Sequence, residues 1–182
     1  MGQGTETRYE GRCHCGAIEL SFTTRRAIHE LPLRECQCGF CRKHGARTTA
    51  DPEGFAEFRV RNAAALARYR FGLATADYLV CARCGVYVAA LMEEGGEGYA
   101  VLNVNAFEGR AAFAGLATPM VYDHEDEADR RARRRKLWTP AVLRGAGRAA
   151  QRRGPRAAAG SSRALKRERP KQRTQKTRPA KK

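Results

Sequence analysis

Hydrophobic and polar residues alternate along several short stretches of the chain. Side chains in a β-strand point alternately to its two faces, so an apolar residue at every second position predicts a half-buried strand. The clearest stretch contains Ile18, Leu20 and Phe22 with polar residues between them. Alternation or a short apolar run predicts four further strands, at residues 68–71, 78–81, 86–92 and 99–104. Polar turn sequences at 51–54 and 93–98 separate them, and the pattern therefore predicts a mainly β domain.

One helix is predicted close to the end of the domain. Asp123 is a suitable N-cap for a helix that begins near His124, acidic residues occupy its first turns, and basic residues up to Lys136 occupy its end. This order of charges stabilises a helix through its dipole. The helix must end before Pro140, because a proline disfavours helical backbone at the residue before it. We expect the intervening Trp138 to anchor the helix on the sheet.

Two segments of the chain carry very different charge. The 182 residues have a formal net charge of +16. Residues 143–182 hold fifteen Lys and Arg residues against one acid, Glu168, whereas the preceding 142 residues hold twenty basic and eighteen acidic residues. The last segment also lacks apolar bulk, so it cannot bury enough surface to offset the entropy lost on ordering. We therefore predict a domain at 8–142 and a basic, disordered tail at 143–182.

The same charge distribution limits the partners that the chain can have. A near-neutral domain argues against a basic nucleic-acid-binding fold, whereas the tail could bind nucleic-acid phosphates without sequence preference. The polar start of the chain lacks the apolar segment of a secretory signal, and the longest apolar stretch, at 86–92, is too short to cross a bilayer. We expect a cytoplasmic protein with no membrane contact. In the reducing cytoplasm, clustered cysteines usually bind metal or do redox chemistry and do not form disulfides.

All seven cysteines lie in three clusters, and their spacing favours metal binding. The clusters are Cys13 and Cys15; Cys36, Cys38 and Cys41; and Cys81 and Cys84. Zinc prefers tetrahedral sets of thiolates, and short spacings bring neighbouring sulfurs to one ion. The two pairs could form a closed four-thiolate site, which is the structural type. The cluster of three could hold a second zinc with one open position, as catalytic zinc sites have.

Other arrangements of the same residues are open at this point. The cysteines could form disulfides or lie as unrelated thiols in the core, or one cluster could be redox-active beside a single closed zinc site. His44, three residues after Cys41, or His14 could supply a fourth ligand to the second zinc and make both sites structural. His29 and His124 have no neighbouring cysteine and are interpreted as surface histidines.

The order of these clusters resembles that of the glutathione-dependent formaldehyde-activating enzyme family. The matching segments are Gly-x-Cys-His-Cys-Gly at 11–16, C-x-C-x-x-C-Arg-Lys at 36–43, C-x-x-C-Gly at 81–85, a closing segment at 122–127, and Trp-Thr-Pro at 138–140. The resemblance extends over residues 8–142. It implies a β-tent fold, in which antiparallel sheets enclose zinc, with a short C-terminal helix.

The same resemblance implies two zinc ions per chain. It implies a structural zinc held by Cys13, Cys15, Cys81 and Cys84, and a catalytic zinc held by Cys36, Cys38 and Cys41. The namesake activity joins glutathione and formaldehyde into S-hydroxymethylglutathione, which is a carbon–sulfur lyase reaction in reverse. The family also contains centromere protein V, a chromosome-associated relative. Many members carry Ser where this chain has Gly39.

These features predict an enzyme that acts on adducts of a thiol and an aldehyde. A zinc ion with three thiolates carries net negative charge, which favours activation of a bound glutathione thiol over polarisation of the aldehyde. Glutathione has two carboxylates, so cations are expected beside the site, and Arg42, Lys43 and Arg47 follow the middle cluster. His44 could move a proton. The alternative is a non-catalytic, zinc-scaffolded binding module whose tail contacts nucleic acid.

Overall fold

The computed structural model describes residues 5–113 and 115–145 with their side chains, and the backbone of 151–156. The strands, in chain order, are β1 (Thr7–Arg12), β2 (Ile18–Thr24), β3 (Arg34–Cys36), β4 (Thr48–Thr49), β5 (Phe55–Val60), β6 (Leu66–Gly72), β7 (Asp77–Cys81), β8 (Tyr87–Glu94), β9 (Glu97–Asn103), β10 (Thr118–Met120), β11 (Thr139–Arg144) and β12 (Gln151–Arg156). The α-helices are α1 (Gly39–Lys43) and α2 (Glu127–Leu137). Short 3-10 turns lie at Ile28–Glu30, Ala63–Ala65, Val104–Ala106 and Arg110–Ala112.

The strands form one branched sheet. Its main order is β1-β2-β5-β11-β9-β8-β7-β6-β12, and neighbours run antiparallel except for the parallel pairs β5–β11 and β6–β12. The branch lies at β9, which pairs with β11 at Tyr99 and Ala100 and with β4 at Leu102 and Asn103. β4 continues to β3, and β3 continues to β10. The prediction of a mainly β fold of largely antiparallel strands is confirmed.

The alternation in β2 produces the buried face that the sequence predicts. Ile18, Leu20 and Phe22 are fully buried, and the residues between them are partly exposed. They pack into one core cluster with residues of the other half of the sheet, such as Leu79 and Leu102. Burial of each such side chain stabilises the fold by about 1.5–3 kcal/mol. This shared core brings together the strand ends that carry the cysteines.

The other predicted strands also form. The stretches at 68–71, 78–81, 86–92 and 99–104 fall within β6, β7, β8 and β9 or directly beside their ends. The turn at 51–54 closes with a bond from the Gly54 N–H to the Asp51 carbonyl, at 3.1 Å, and 93–98 contains the hairpin turn between β8 and β9. Of the strands before β12, six were not predicted: β1, β3, β4, β5, β10 and β11. For β3, β4 and β10 the reason is length, because two or three residues are too few to show alternation.

Helix α2 begins later than the sequence predicts. Asp126, and not Asp123, is the N-cap, and its carboxylate accepts a bond of 2.8 Å from the Asp129 N–H. The residues before it form a turn in which the Glu125 N–H donates to the Tyr122 carbonyl. Glu125 then serves as an ion-pair partner for arginines of α2 and not as part of the helix. Both aspartates have the chemistry of a cap, and the turn decides between them.

Trp138 anchors α2 on the sheet, as predicted. It follows the last helical residue, is buried, and packs against Ala90 of β8 and Val101 of β9. The Trp138 ring also lies beneath the guanidinium of Arg134, whose carbon is 4.6 Å from the ring centre. Arg134 and Trp138 line one cavity with Arg34 of β3 and Cys41 of α1, so the arginine-rich helix lies close to these two elements.

The end of the described chain differs from the expectation of disorder after Val142. β11 continues to Arg144, and Gln151–Arg156 form β12 on the free edge of β6. Strand addition at an edge relies on backbone hydrogen bonds, which a count of apolar side chains does not include. The remaining parts of the predicted tail, 146–150 and 157–182, lie outside the described residues, as does most of the proposed nucleic-acid contact. Within the described ranges, no helix is long and apolar enough to cross a membrane.

Candidate metal centres and their cavities

Four cysteines meet where two hairpins of the sheet turn. Cys13 and Cys15 lie in the turn between β1 and β2, Cys81 is the last residue of β7, and Cys84 lies in the turn between β7 and β8. Their four Sγ atoms all lie within 4.8 Å of one another. We call these residues the four-cysteine site. The site joins two hairpins that are distant in the chain, since Cys15 and Cys81 are separated by 66 positions in the sequence.

The sulfur spacing fits a tetrahedral metal ion and not a disulfide. The Sγ atoms of Cys13 and Cys15 are 3.7 Å apart, and those of Cys15 and Cys81 are 3.5 Å apart. Zinc bonds to sulfur at about 2.3 Å, so two ligands at a tetrahedral angle are about 3.8 Å apart. A disulfide would need about 2.05 Å. All seven cysteines are free thiols.

The two turns of the four-cysteine site have similar backbones. Gly16 and Gly85 have φ angles of +72° and +75°, and each donates its N–H to the carbonyl of the first cysteine of its turn, at 2.9 Å. Glycine adopts this left-handed backbone without steric cost. Burial raises the pKa of Cys84, but the N–H groups of Val86 and Cys15 lower it to about 6 overall. Burial raises the pKa of Cys13, and raises that of Cys81 to about 12, so without a bound metal Cys84 ionises more readily than these two thiols.

The remaining three cysteines form a second group, the three-cysteine site. Cys36 ends β3, Cys38 is the N-cap of α1, and Cys41 lies within α1. Their Sγ atoms lie within 4.8 Å of one another. Hydrogen bonds from the thiols of Cys36 and Cys41 lower the pKa of Cys38 to about 2, and the Cys41 N–H also donates to its sulfur, at 3.5 Å. The group could hold a metal ion with three thiolates.

No histidine or carboxylate from the described residues joins either group of sulfurs. His14 and His44 are exposed. The His44 Nδ1 lies 2.9 Å from the Phe40 carbonyl oxygen, and its ring packs on the Phe40 ring with centres 4.2 Å apart. The arrangement in which either histidine closes the second site is therefore not the one formed here. In this arrangement the three-cysteine site has one ligand fewer than a closed tetrahedral site.

Phe40 fixes the three-cysteine site against the sheet. It lies between Cys38 and Cys41, and its ring packs edge-on against Tyr78 of β7 and Tyr87 of β8, with centres 4.7 and 5.1 Å apart. Aromatic pairs in such arrangements gain energy beyond the area they bury. The contact gives a five-residue helix a tertiary support that its own length does not supply.

Two small cavities adjoin the three-cysteine site. The first, the Trp138 cavity, has a volume of about 90 Å³ and is lined by Cys36, Cys41 and Trp138 among others. The second, the Asp123 cavity, has a volume of about 110 Å³ and is lined by Cys36, Cys38 and Asp123 among others. The four-cysteine site lines neither cavity. Of the two groups of cysteines, the three-cysteine site is therefore the one that lies beside cavities in which a small molecule could bind.

The walls of both cavities carry arginines. Arg34, Arg133 and Arg134 line the Trp138 cavity, and Arg130, Arg133 and Arg134 line the Asp123 cavity. Hydrogen bonds from Arg133, followed by its charge, lower the pKa of the Glu125 carboxyl although burial raises it. Glu125 pairs with Arg130 at 3.2 Å and with Arg133 at 2.9 Å. The walls thus carry more positive than negative charge.

The four residues predicted to contact substrate lie elsewhere. Arg42, Lys43 and His44 are exposed, Arg47 is partly buried, and none of them lines either cavity. The arginines on the walls were missed by sequence reasoning. A signal was present, because residues 130, 133 and 134 share one face of a helix by their spacing.

Three comparisons with known proteins bear on these observations. A family model described as glutathione-dependent formaldehyde-activating enzyme matches residues 8–121, a range that includes all seven cysteines. A solved structure, described as a crystal structure of a Rhodobacter sphaeroides protein, is 30% identical and covers 61% of this chain and 99% of its own chain, with a TM-score of 0.45. No curated protein matches the chain.

Proposed function

Because the chain belongs to the glutathione-dependent formaldehyde-activating enzyme family, we propose that it is a zinc-dependent carbon–sulfur lyase. Its substrates are adducts of a thiol and an aldehyde, of which S-hydroxymethylglutathione is the family's namesake example. The observation that carries this proposal is the three-cysteine site, which has no fourth ligand among the described residues and adjoins two cavities. A reducing cytoplasm, which keeps thiols free, is the proposed location.

We propose that the two groups of cysteines bind zinc for different purposes. Cys13, Cys15, Cys81 and Cys84 would hold a structural zinc, and Cys36, Cys38 and Cys41 would hold a second zinc. When bound, the second zinc would lower the pKa of a thiol that coordinates it, so that this thiol is ionised at neutral pH. The sulfur spacing described above is compatible with zinc in both groups.

The reaction balances without any further reactant. The thiol sulfur forms a bond to the aldehyde carbon, the π electrons of the carbonyl move to its oxygen, and the proton lost by the thiol ends on that oxygen. Breakdown of the adduct reverses each step. No oxidant or reductant is consumed.

The chain's own side chains enclose the reactants and place charge beside them. Tyr78, Tyr87 and Trp138 form an aromatic part of the wall of the Trp138 cavity. Arg130 and Arg133 in the Asp123 cavity provide positive charge for the carboxylates of a thiol such as glutathione. The earlier candidates on and after α1 could contact only the outer part of a bound tripeptide, because they line neither cavity.

Exchange spectroscopy by NMR tests this function directly. The exchange of formaldehyde and glutathione with their adduct is measured with zinc-loaded protein, without protein, and with the Cys38→Ser variant. We expect exchange above the uncatalysed rate with the wild type and background exchange with the variant. The variant should retain one zinc per chain in the four-cysteine site.

Background exchange from fully loaded wild-type protein would refute the namesake pairing. It would favour the alternative of a zinc-scaffolded binding module without turnover. A Cys38→Ser variant that retained full activity would instead refute the assignment of the reaction to the three-cysteine site. A matched control, Arg110→Gln, changes an exposed residue away from both cavities and should exchange like the wild type.

A further inference from the structure

Two buried polar atoms on the wall of the Trp138 cavity lack a hydrogen-bond partner. Among the described residues, three buried side-chain atoms are unpaired: Thr49 Oγ1, Tyr87 Oη and Arg134 Nε. Two of the three, those of Tyr87 and Arg134, belong to residues that line this cavity. Buried polar groups are usually satisfied, so a pair of unsatisfied groups on one cavity wall indicates a polar ligand.

Arg134 is an unusual wall residue because its charge is buried. Its relative exposure is 5%. One guanidinium nitrogen, Nη1, donates to Thr75 Oγ1 at 2.6 Å, but no acidic residue of the described chain forms an ion pair with it. Burial lowers its pKa to about 10, which leaves the group charged at neutral pH. The charge therefore has no protein counter-ion in direct contact.

The neighbouring arginines and carboxylates leave this guanidinium without an ion pair. Arg34, at the start of β3, is half-buried, lines the same cavity, and likewise forms no ion pair with the described residues. Arg133 already pairs with Glu125 and stacks on Tyr122, with its guanidinium carbon 3.9 Å from the ring centre. Asp123 lines the other cavity and not this one. The Trp138 cavity thus holds two arginines, Arg34 and Arg134, that form no ion pair with the described residues, beside a three-cysteine site that would carry one net negative charge with zinc bound.

The size of the cavity limits the anion. A volume of about 90 Å³ accommodates on the order of half a dozen water molecules, and so a ligand with a similar number of non-hydrogen atoms. A tripeptide thiol such as glutathione is too large to fit inside it as a whole. Formaldehyde is small enough, but it has no charge that would match the guanidinium groups.

We infer that the Trp138 cavity binds a small carbonyl compound that carries a carboxylate, a short oxo acid. Its carboxylate meets Arg34 and Arg134, and its carbonyl oxygen accepts from the Tyr87 hydroxyl beside the three-cysteine site. This inference rests on the proposed function, because it names the class of aldehyde that the thiol attacks. The reaction is the same addition, with the new carbon–sulfur bond formed at the aldehyde carbon of the oxo acid and the thiol proton transferred to its oxygen.

Equilibrium binding in the absence of glutathione tests this assignment. Glyoxylate, acetaldehyde and mercaptoacetate are titrated into the zinc-loaded full chain by calorimetry. We expect glyoxylate to bind roughly tenfold or more tightly than acetaldehyde, because a charge-assisted hydrogen bond distinguishes them. Mercaptoacetate has the same carboxylate on a thiol, so it identifies which reactant carries the charge.

Two variants separate a binding role from a structural one. Arg34→Gln should weaken glyoxylate binding roughly tenfold and leave acetaldehyde binding unchanged. Arg134→Met should abolish the preference for glyoxylate without lowering the unfolding temperature, because an apolar side chain replaces a buried charge that has no counter-ion. Arg110→Gln, an exposed arginine, is the matched control and should bind like the wild type.

Several results would overturn the inference. Equal affinity of the wild-type protein for glyoxylate and acetaldehyde would do so. The same conclusion would follow if the Arg34→Gln variant bound glyoxylate as tightly as the wild type and the Arg134→Met variant failed to fold. Tight binding of mercaptoacetate alone would show that the thiol, and not the carbonyl compound, carries the carboxylate. The exchange assay with formaldehyde is a separate readout, so failure of the proposed function and failure of this inference give different patterns.

Discussion

The four-cysteine site and the three-cysteine site use the same side chain in surroundings that differ. The four-cysteine site lies between two hairpin turns and lines neither of the two cavities. The three-cysteine site combines a strand end with a short helix and lies beside both cavities and their arginines. The comparison teaches that ligand number and access to a cavity, and not the type of ligand, distinguish the two sites of this fold.

The energetic roles of the two sites should differ in the same way. Structural zinc contributes about 10–16 kcal/mol of binding energy in small zinc peptides, whereas a whole domain is stable by only about 5–15 kcal/mol. A metal in the four-cysteine site joins two hairpins that are distant in sequence, so its loss affects the whole sheet. A metal in the three-cysteine site joins only β3 to α1.

The largest expected effect comes from the Cys81→Ser variant. Removing one ligand from the four-cysteine site should abolish cooperative folding at 25 °C, since the zinc contribution is comparable to the total stability. Thermal unfolding followed by circular dichroism, together with zinc analysis, measures the loss. Cys38→Ser is the matched variant in the other site, and it should unfold cooperatively with one zinc retained. Equal stability of the two variants would remove the distinction between the sites.

A smaller effect is expected when metal is removed by a chromogenic chelator. The three-cysteine site has fewer protein ligands and a neighbouring cavity, so its zinc should leave first, roughly tenfold or more faster than the other. The first phase should leave the circular dichroism unchanged, and the second should coincide with unfolding. In Cys38→Ser only the slow phase should remain. A single phase that coincides with unfolding in the wild type would contradict the comparison.

The smallest effect is expected for Gly39→Ser, which introduces the residue that many family members carry beside Cys38. A Cβ at this position would meet no atom within 4 Å, so the side chain fits. We expect the stability to change by about 0.5 kcal/mol or less, and the thiol–aldehyde exchange rate to respond more than the unfolding temperature. Gly98→Ser is a control for steric conflict, because its Cβ would overlap the Ala141 carbonyl oxygen. A large drop in stability for Gly39→Ser would contradict the open space described here.

Much of the fold and of the metal sites could be predicted from local patterns. Alternation located β2, and the spacing of the cysteines indicated two groups that could bind metal, because both signals depend on residues close together in the chain. The start of α2 was predicted too early, since two aspartates compete as N-cap and a turn through Tyr122 decides between them. β12 was missed because pairing along an open strand edge leaves little trace in side-chain composition.

The arginines beside the three-cysteine site were the least predictable part of its surroundings. Proximity in sequence to Cys41 favoured Arg42, Lys43 and Arg47 as partners of an anion, yet none of them lines a cavity. The arginines that do line the Trp138 cavity come from β3 and from α2, and the latter is about a hundred residues further along the chain. Docking of Trp138 on the sheet brings that helix to the cysteines.

By itself, the sequence determined five of the strands (β2 and β6 to β9), the three cysteine clusters and the helix that ends in arginines, because alternation, spacing and charge order act over a few residues. The sequence offered pooling of the two cysteine pairs as one of several arrangements, and the tertiary structure selected it. Tertiary structure alone decided which site adjoins a cavity and which arginines line its walls. Those features depend on packing between strands and a helix that are far apart in the chain. Burial then leaves the Arg134 charge without a counter-ion, and that is a property of the assembled core and not of any local pattern.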